Sequence, residues 1–483
     1  ERCILCWRCI RYYDEITGEK ELVLQERAVH TVVNTFNGQP LVSDFQGNLP
    51  EICPVGALTH VQYRFKARPW ELQRTKSVCP ECSYGCNINV DTRDFEVKRF
   101  ASRDNPMVDD TWLCDRGRYS AESWNDVDRL RRPRVRDANG TRDVSVSGAI
   151  SAAAESLRAV RDQHGPGAIA VIGSVENTNE ELFLLQRLAR DVLGTRNIDH
   201  QLQRFVDLGA DEHSLGIAEI EECAAVLVLG SEPEHEAPVL TLRLFKAATK
   251  CNVVVRRLQH DATLDDAGEL PATGLIGVIA DETNRDNAAR LVRSLEVSRQ
   301  VRRLTITRGV NGRGAKDLGL LPNLGPGYVR VADAGKSGRE ILEGAAAGVI
   351  RGLLVLGGSA WAAEVEPLLE RVVTAVEALV VIDTRPSVLS RGATVVIPGH
   401  AYFEKSGSVT NVEGRVQRIR PALPPATSTP TETRLLSALA AELGAGGWPG
   451  DPLQVNRALC EALPAYREAG NGGVARFTAA VVA

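Results

Sequence analysis

The 483-residue sequence has few aromatic residues, little net charge and no long apolar run. Phe, Trp and Tyr make up 5% of it and the formal net charge is −5, so bulk electrostatics give no reason to expect a nucleic-acid partner. No apolar run approaches the roughly 20 residues that a membrane-spanning helix needs, and no signal peptide is recognisable. We therefore expect no direct membrane insertion and any role at a membrane to come through a partner.

Cysteine is also too scarce for a secreted disulfide scaffold, because the chain has only 11. Eight of the 11 nevertheless fall into two sets with metal-ligand spacing. The first set is Cys3-x2-Cys6-x2-Cys9 with a remote Cys53-Pro54, and the second is Cys79-x2-Cys82-x3-Cys86 with a remote Cys114. Such C-x2-C spacing indicates metal or redox chemistry in a reducing compartment.

Each set supplies three close thiols and one remote thiol, the pattern of four ligands for one cubane [4Fe–4S] cluster. Two-cluster bacterial ferredoxins use C-x2-C-x2-C-x3-C-P, whereas here Tyr13 takes the position of the fourth Cys and Cys53-Pro54 supplies the pair at long range. We predict two [4Fe–4S] clusters and no residue that reacts with a substrate. Tetrahedral zinc is the alternative for either set, although zinc ribbons usually pair two C-x2-C knuckles.

Other polar and sulfur-bearing residues give weaker signals. Four arginines near the two sets are expected either to raise a cluster's reduction potential, by favouring its more negative reduced form, or to be an ordinary solvated face; they are Arg8, Arg11, Arg116 and Arg118. The remaining cysteines are predicted to be small buried hydrophobes; they are Cys223, Cys251 and Cys460.

Two kinds of organisation follow one another along the chain. Residues 21–33 are strand-like, and basic segments at 64–76 and 127–136 are typical of a connector and a Pro-broken linker. From about residue 145, helices such as 147–163 and 179–193 alternate with short apolar strands such as 168–172 and 224–229. Apolar strands separated by helices predict a doubly wound parallel sheet covered on both faces. A Pro/Thr linker at 424–431 precedes a helical tail.

The first residue is Glu1, not Met, and it lies two positions before a predicted ligand. We therefore expect a fragment, or one half of a split protein, with further residues upstream.

Several blocks resemble a known family. ERCILCWRCIRYYDEITGEKELVLQERAVHT and ICPVGALT resemble the large iron–sulfur subunit (the G subunit) of bacterial NADH–quinone oxidoreductase, respiratory complex I. CPECSYGCNI with DTWLCDRGR is similar to an additional cubane site of some bacterial members, and the same signature opens molybdopterin-dependent oxidoreductases. The resemblance continues through VLVLGSEPEHEAPVLTLRLFKAA and FEKSGSVTNVEGRVQRIRP, to about residue 440.

The resemblance implies a four-part chain. We expect a ferredoxin-like [4Fe–4S] domain at 1–76 and a molybdopterin-oxidoreductase-type [4Fe–4S] domain at 77–126. A molybdopterin-oxidoreductase-like α/β domain is expected at 127–423, and a linker with a C-terminal helical tail at 424–483. The family's N-terminal [2Fe–2S] domain and its histidine-ligated cubane region are absent from this sequence.

In the molybdopterin enzymes a Cys, selenocysteine or Ser near the NIDH block binds the metal. The corresponding stretch, QLQRFVDLGADEHSLG, contains no Cys, and Ser214 is its only hydroxyl. Another family cysteine is replaced by Lys316. The resemblance therefore implies a fold that has lost its metal, and we expect no molybdopterin, since fold and site are separable.

The function that the resemblance implies is electron relay from NADH towards quinone. The first cluster would carry electrons and the second would lie off the main route, with a role in stability. The expected partners are other peripheral-arm subunits of complex I, on the NADH/FMN-binding side and on the quinone side. The expected location is peripheral, on the cytoplasmic face of the bacterial inner membrane. The alternatives are a catalytic molybdenum or tungsten oxidoreductase, such as the alpha subunit of an NAD-linked formate dehydrogenase, and a structural protein with two zinc sites.

Overall fold

The computed structural model describes residues 2–125, 128–138, 140–202, 214–362 and 365–477. The strands are β1 Leu22–Gln25, β2 Val32–Thr35, β3 Gln73–Val78, β4 Asn87–Arg93, β5 Glu96–Ser102, β6 Arg134–Asp137, β7 Gly140–Asp143, β8 Ile169–Ile172, β9 Ile198–Asp199, β10 Ala225–Leu229, β11 Val254–Leu258, β12 Leu275–Asp281, β13 Gln300–Ile306, β14 Gly352–Leu356, β15 Ala378–Asp383, β16 Val395–Pro398, β17 Gly407–Thr410 and β18 Val416–Ile419. The helices are α1 Arg8–Tyr12, α2 Leu49–Ile52, α3 Asp115–Tyr119, α4 Val146–His164, α5 Asn179–Arg187, α6 Pro233–Glu236, α7 Pro238–Lys250, α8 Arg285–Glu296, α9 Gly312–Asp317, α10 Gly338–Ala346, α11 Ser359–Ala362, α12 Glu366–Ala375, α13 Val388–Gly392, α14 Glu432–Glu442, α15 Pro452–Ala462 and α16 Pro464–Ala469.

One compact unit joins the two cysteine-rich segments, residues 1–126, to residues 213–308. It contains the β1–β2 hairpin and an antiparallel sheet of order β3-β4-β5. It also contains a parallel sheet of order β11-β10-β12-β13, whose core includes alternate residues of β10 and β12. No local signal indicates that this second sheet belongs with the cysteine-rich segments, because its contacts with them are long-range.

The other unit comprises residues 127–212 and 309–483. Its sheet has the order β7-β6-β16-β15-β14-β8-β9, and all of its strands except the β6–β7 hairpin are parallel. Alternate residues of β8 face opposite cores: Ile169 and Val171 pack with α4, α5 and α14, whereas Ala170 and Ile172 pack with α10 and α12. The predicted doubly wound sheet, covered on both faces, is confirmed.

Local sequence explains most element bounds. Thr178 begins α5 through a reciprocal capping box with Glu181, and the predicted helix 179–193 is helical throughout, with a π-type last turn at Leu188–Leu193. Gly194 ends it with φ 72°, a conformation that glycine adopts without strain.

Two local predictions were correct only in part. The basic segment 127–136 is not wholly a linker, because β6 pairs antiparallel with β16 through Val135 and Val395. Residues 21–33 form two short strands with a 3₁₀ turn between β1 and β2, since Glu26 and Ala28 adopt positive φ. Among the described residues, no helix is both long and apolar enough to cross a membrane.

Candidate metal centres

The second cysteine set is built at the ends of three elements. Cys79 follows β3, Cys86 precedes β4, and the amide of Cys79 donates to the carbonyl of Cys86 at 2.8 Å, which closes the loop between them. Cys114 precedes α3, and its thiol accepts a hydrogen bond from the Gly117 amide at 3.4 Å. Antiparallel pairing of β3 with β4 thus holds the three close thiols, and the first turn of α3 brings the remote one.

All four thiols of this set are buried, and each lies close enough to perturb others of the set. Burial raises the pKa of Cys79 and of Cys86 well above the usual value, and the neighbouring thiols raise both further. Burial likewise raises the pKa of Cys114 to about 12, helped by the charge of Cys82. Four neutral thiols buried together would form only weak hydrogen bonds. Thiolates bound to metal cations explain the burial of four cysteines at one place better than neutral thiols do.

Gly117 leaves the space that the second set needs. A β-carbon there would lie 2.8 Å from Cys79 Sγ and 3.6 Å from Cys114 Sγ, and 3.3 Å from the Leu113 side chain. Two thiols that approach one backbone position this closely, with an amide donor between them, fit a sulfur-ligated cluster, because such clusters are tuned by N–H···S bonds.

Gly117→Ala is therefore expected to displace Cys79 and to empty the second site while leaving the first loaded. Iron quantification should fall to about half, from about eight to about four atoms per chain. Gly446→Ala is the matched control, since a β-carbon there meets nothing within 4 Å. Full iron content in the Gly117 variant would show that this close approach is unimportant.

The first cysteine set lies nearer to solvent. Cys3 and Cys6 are exposed, and Cys9 and Cys53 are half-buried. Leu5 and Trp7 adopt φ of 53° and 63°, so the chain winds tightly between the thiols. Burial raises the pKa of Cys9, and the charges of Cys3 and Cys6 add to the rise. Cys3 and Cys6 therefore lie near enough to Cys9 to interact with it electrostatically.

Cys53, the remote member of the first set, directly follows α2. Burial alone would raise the pKa of its thiol, but backbone N–H groups of the following turn outweigh burial and lower it; they belong to Leu58, Val55, Ala57 and Gly56. Several amides that converge on one sulfur form an anion-binding nest. A thiolate is thus favoured at the remote position before any metal binds.

The described thiols do not surround a single ion. Among residues that the structure describes, no three Cys, His, Asp or Glu side chains converge in an arrangement that could hold one metal ion.

In the described part of the chain, only one of the four arginines contacts a thiol of either cysteine set. Burial alone would lower the pKa of Arg116, but contact with Cys82 and the nearby Cys114 raises it. Arg118 is buried and pairs with Glu51 at 2.6 Å. Arg11 forms a surface pair with its helix neighbour, and Arg8 is exposed. The tuning interpretation is therefore retained for Arg116, and the solvated-face interpretation suits Arg8 and Arg11.

The other predicted positions are more ordinary. Cys223 is buried as expected, whereas Cys251 and Cys460 are only half-buried. Ser214 lies beside β13, where the next residue, Leu215, donates to the Arg303 carbonyl at 2.8 Å. Residues 203–213, most of the stretch in which a metal ligand was sought, lie outside the described residues.

Three family models match the chain. NADH-quinone oxidoreductase subunit 3, ferredoxin-like domain, matches residues 1–59. Molybdopterin oxidoreductase Fe4S4 domain matches 72–126, and Molybdopterin oxidoreductase matches 129–274 and 285–442. Iron–sulfur domains therefore precede the α/β region, as the sequence predicted.

The resemblance to the large iron–sulfur subunit of complex I is also confirmed. The G subunit of NADH-quinone oxidoreductase from Mycobacterium bovis is 32% identical over 92% of this chain and 62% of its own length. NADPH-Fe(3+) oxidoreductase subunit alpha of Geobacter sulfurreducens is 28% identical over 98% of this chain and 68% of its own length. The chain thus spans about two thirds of the length of these relatives.

Among solved structures, acetylene hydratase from Pelobacter acetylenicus has a similar fold. The TM-score is 0.51 at 11% sequence identity, over 77% of this chain and 69% of that one. Likeness at this identity concerns the fold and not the reaction.

Proposed function

The chain belongs to the molybdopterin oxidoreductase family, and we propose that it is an electron-relay subunit of an NADH–quinone oxidoreductase. The observation that carries the proposal is the pairing of two four-cysteine sites, one near solvent and one buried, in a chain similar to the large iron–sulfur subunit of that complex. The named relatives do not favour the formate dehydrogenase alternative.

We assign Cys3, Cys6, Cys9 and Cys53 to the first [4Fe–4S] cluster and Cys79, Cys82, Cys86 and Cys114 to the second. Such a cluster, when bound, accepts and returns one electron without a bond to a substrate. The protein's part is to hold thiolates at fixed positions and to exclude water. Exposure of Cys3 and Cys6 suits a site that exchanges electrons with a partner, and burial of the second set suits one that does not.

A buried second site implies a role in assembly. Cys82→Ala is expected to lower the amount of assembled complex several-fold, because it leaves three buried thiols without their cluster. The turnover of the complex that does assemble should change little. Heterologous complementation of a deletion strain, with turnover normalised to assembled complex, measures both. A large loss of turnover in fully assembled complex would place the second cluster on the main route.

We further propose that the α/β region holds no molybdopterin. In doubly wound sheets, ligands bind beyond the carboxyl ends of the strands where the strand order reverses, which here is between β8 and β14. Backbone donors at these ends are engaged by the chain's own side chains: Asp383 accepts from the amides of Ser359 and Thr384, both at 2.6 Å, and Asn177 accepts from Ser174 at 2.9 Å. These residues do not fit the phosphates of a pterin dinucleotide.

The partners would be neighbouring subunits on the NADH/FMN-binding side and on the quinone side, and the chain would lie on the cytoplasmic face of the inner membrane.

A second candidate function is that of a subunit of an NADPH-linked ferric reductase, since the Geobacter relative covers nearly the whole chain. Membranes of a deletion strain should regain NADH-to-quinone activity with the intact gene. Restoration of NADPH-to-Fe(III) activity alone would favour the second candidate.

A further inference from the structure

Three large aromatic side chains lie almost fully in solvent in the segments that precede β3 and connect β4 to β5, away from the end of the sheet that carries Cys79 and Cys86. Phe65 is 91% exposed, Phe95 80% and Trp70 76%. Aromatic residues are only 5% of the chain, and burying one is strongly favourable. Exposure of three in one region therefore needs an explanation.

The three lie on two segments that are attached to each other. Residues 63–71 are attached to the β4–β5 hairpin at two points: Arg99 stacks on Tyr63 at 4.3 Å, and Arg93 at the end of β4 pairs with Glu71 at 2.6 Å. Phe95 is at the tip of that hairpin. We call Phe65, Trp70 and Phe95, with Arg64 and Arg68, the aromatic patch.

Two of the three aromatics are held in strained backbone. Asp94 and Phe95 form the two-residue turn between β4 and β5 with φ of 54° and 61°, and Phe65 has φ of 68°. Such turns favour Asn-Gly or Asp-Gly because both central residues need positive φ. A bulky residue with positive φ costs folding stability, whereas glycine adopts this conformation without strain. The fold of the turn therefore does not explain why position 95 is Phe.

The charges of the patch indicate what covers it. Arg64 stacks on Phe65 with 4.7 Å to the ring centre, and Arg68 on Trp70 with 5.5 Å. Within the described part of the chain, neither guanidinium has a carboxylate partner, although Lys66 pairs with Glu122 and Arg93 with Glu71. Aromatic residues and arginine are the types enriched where protein interfaces are strongest.

We propose that the aromatic patch docks onto an acidic face of another subunit, whose carboxylates pair with Arg64 and Arg68 around an apolar socket for Phe95 and Trp70. The inference rests on the proposed function, because it takes the chain to be one subunit of a larger complex.

Replacement of Phe95 separates docking from folding. Phe95→Gly should keep or raise the melting temperature of the full chain, because it gives the turn its favoured residue, yet weaken retention in the complex about tenfold or more. Arg68→Glu should weaken retention too, and added salt should narrow its difference from the parent chain. Val297→Ser is the control, since Val297 is 87% exposed in the same unit. Unchanged retention of the Phe95 variant would overturn the proposal.

The occupant is identified by photo-crosslinking in the complex purified from the source membranes. Benzoylphenylalanine placed at position 95, with position 297 as control, should crosslink to a segment of another subunit that is flanked by Asp or Glu. Crosslinks to lipid, to a second copy, to another part of the same polypeptide, or to no partner would each overturn the inference. The iron content of the same sample distinguishes failure of this inference from failure of the proposed function. If the chain carries iron and lies in an NADH–quinone oxidoreductase complex but forms no crosslink, only the docking role of the aromatic patch is refuted. If the chain is found outside any such complex, the proposed function is refuted.

Discussion

Cys6→Ala is expected to abolish the first cluster and, with it, NADH-to-quinone turnover. Cys6 lies in the middle of the tight loop in which Leu5 and Trp7 adopt positive φ, so no other thiol can take its place without rewinding the chain. A cubane with one ligand missing is labile and exposed to solvent at this site. Turnover in membranes should fall to that of the deletion strain, with iron reduced by about four atoms per chain.

A free cysteine elsewhere provides the control for this experiment. Cys251→Ala removes a half-buried thiol that belongs to neither set, so iron content and turnover should remain those of the parent chain. The second cluster should persist in the Cys6 variant, as shown by its own EPR signal. Turnover that survives loss of the first cluster would mean that electrons take another route.

The largest effect on stability is expected at a buried ion pair in the α/β region. Lys405 Nζ lies 2.9 Å from Glu181 and 3.5 Å from Glu432, and all three side chains are buried. Burial alone would lower the pKa of Lys405, but the two carboxylates raise it, so the lysine stays charged. Lys405→Met leaves two facing carboxyl groups, and removing one partner of a buried pair costs about 3–5 kcal/mol.

Amide hydrogen exchange of β17, which follows Lys405, measures this loss of stability locally. A local measurement is needed because a chain with two compact units does not have a single free energy of unfolding. About 3 kcal/mol corresponds to roughly 100-fold faster exchange. Burial raises the pKa of Glu181 to about 7 even with Lys405 present, and the variant lacks the cation that opposes this rise. A carboxyl whose pKa is raised on folding destabilises the folded state as pH rises from its unfolded to its folded pKa. The parent chain already carries this loss up to about pH 7, so the additional defect of the variant should grow as pH rises above about 7. Arg467→Met, at an exposed position, should have no effect; an equal effect of both variants would exclude the ion-pair explanation.

Periodicity and cysteine spacing predicted much of the molecule. Strands β8 and β10 and helix α4 begin and end within a few residues of expectation, and α5 begins where Thr178 caps it, because apolar runs and caps are local signals. The assignment of the eight cysteines and the domain bounds at 76, 126 and 423 stay predictions.

Other features could not be read from the sequence because they depend on contacts between distant residues. The space at Gly117 beside Cys79, the association of residues 213–308 with the cysteine-rich segments, and the ion pair of Lys405 all join positions tens to hundreds of residues apart. The amide nest at Cys53 is local, and the Pro-x-Gly that follows this cysteine is the one signal that could have indicated it.

The most direct test is metal analysis with low-temperature EPR on the anaerobically purified, reduced chain. The account predicts about eight iron atoms per chain, the signals of two [4Fe–4S] clusters, and neither molybdenum nor tungsten. A preparation free of iron, or one that carries a bound pterin, would contradict it.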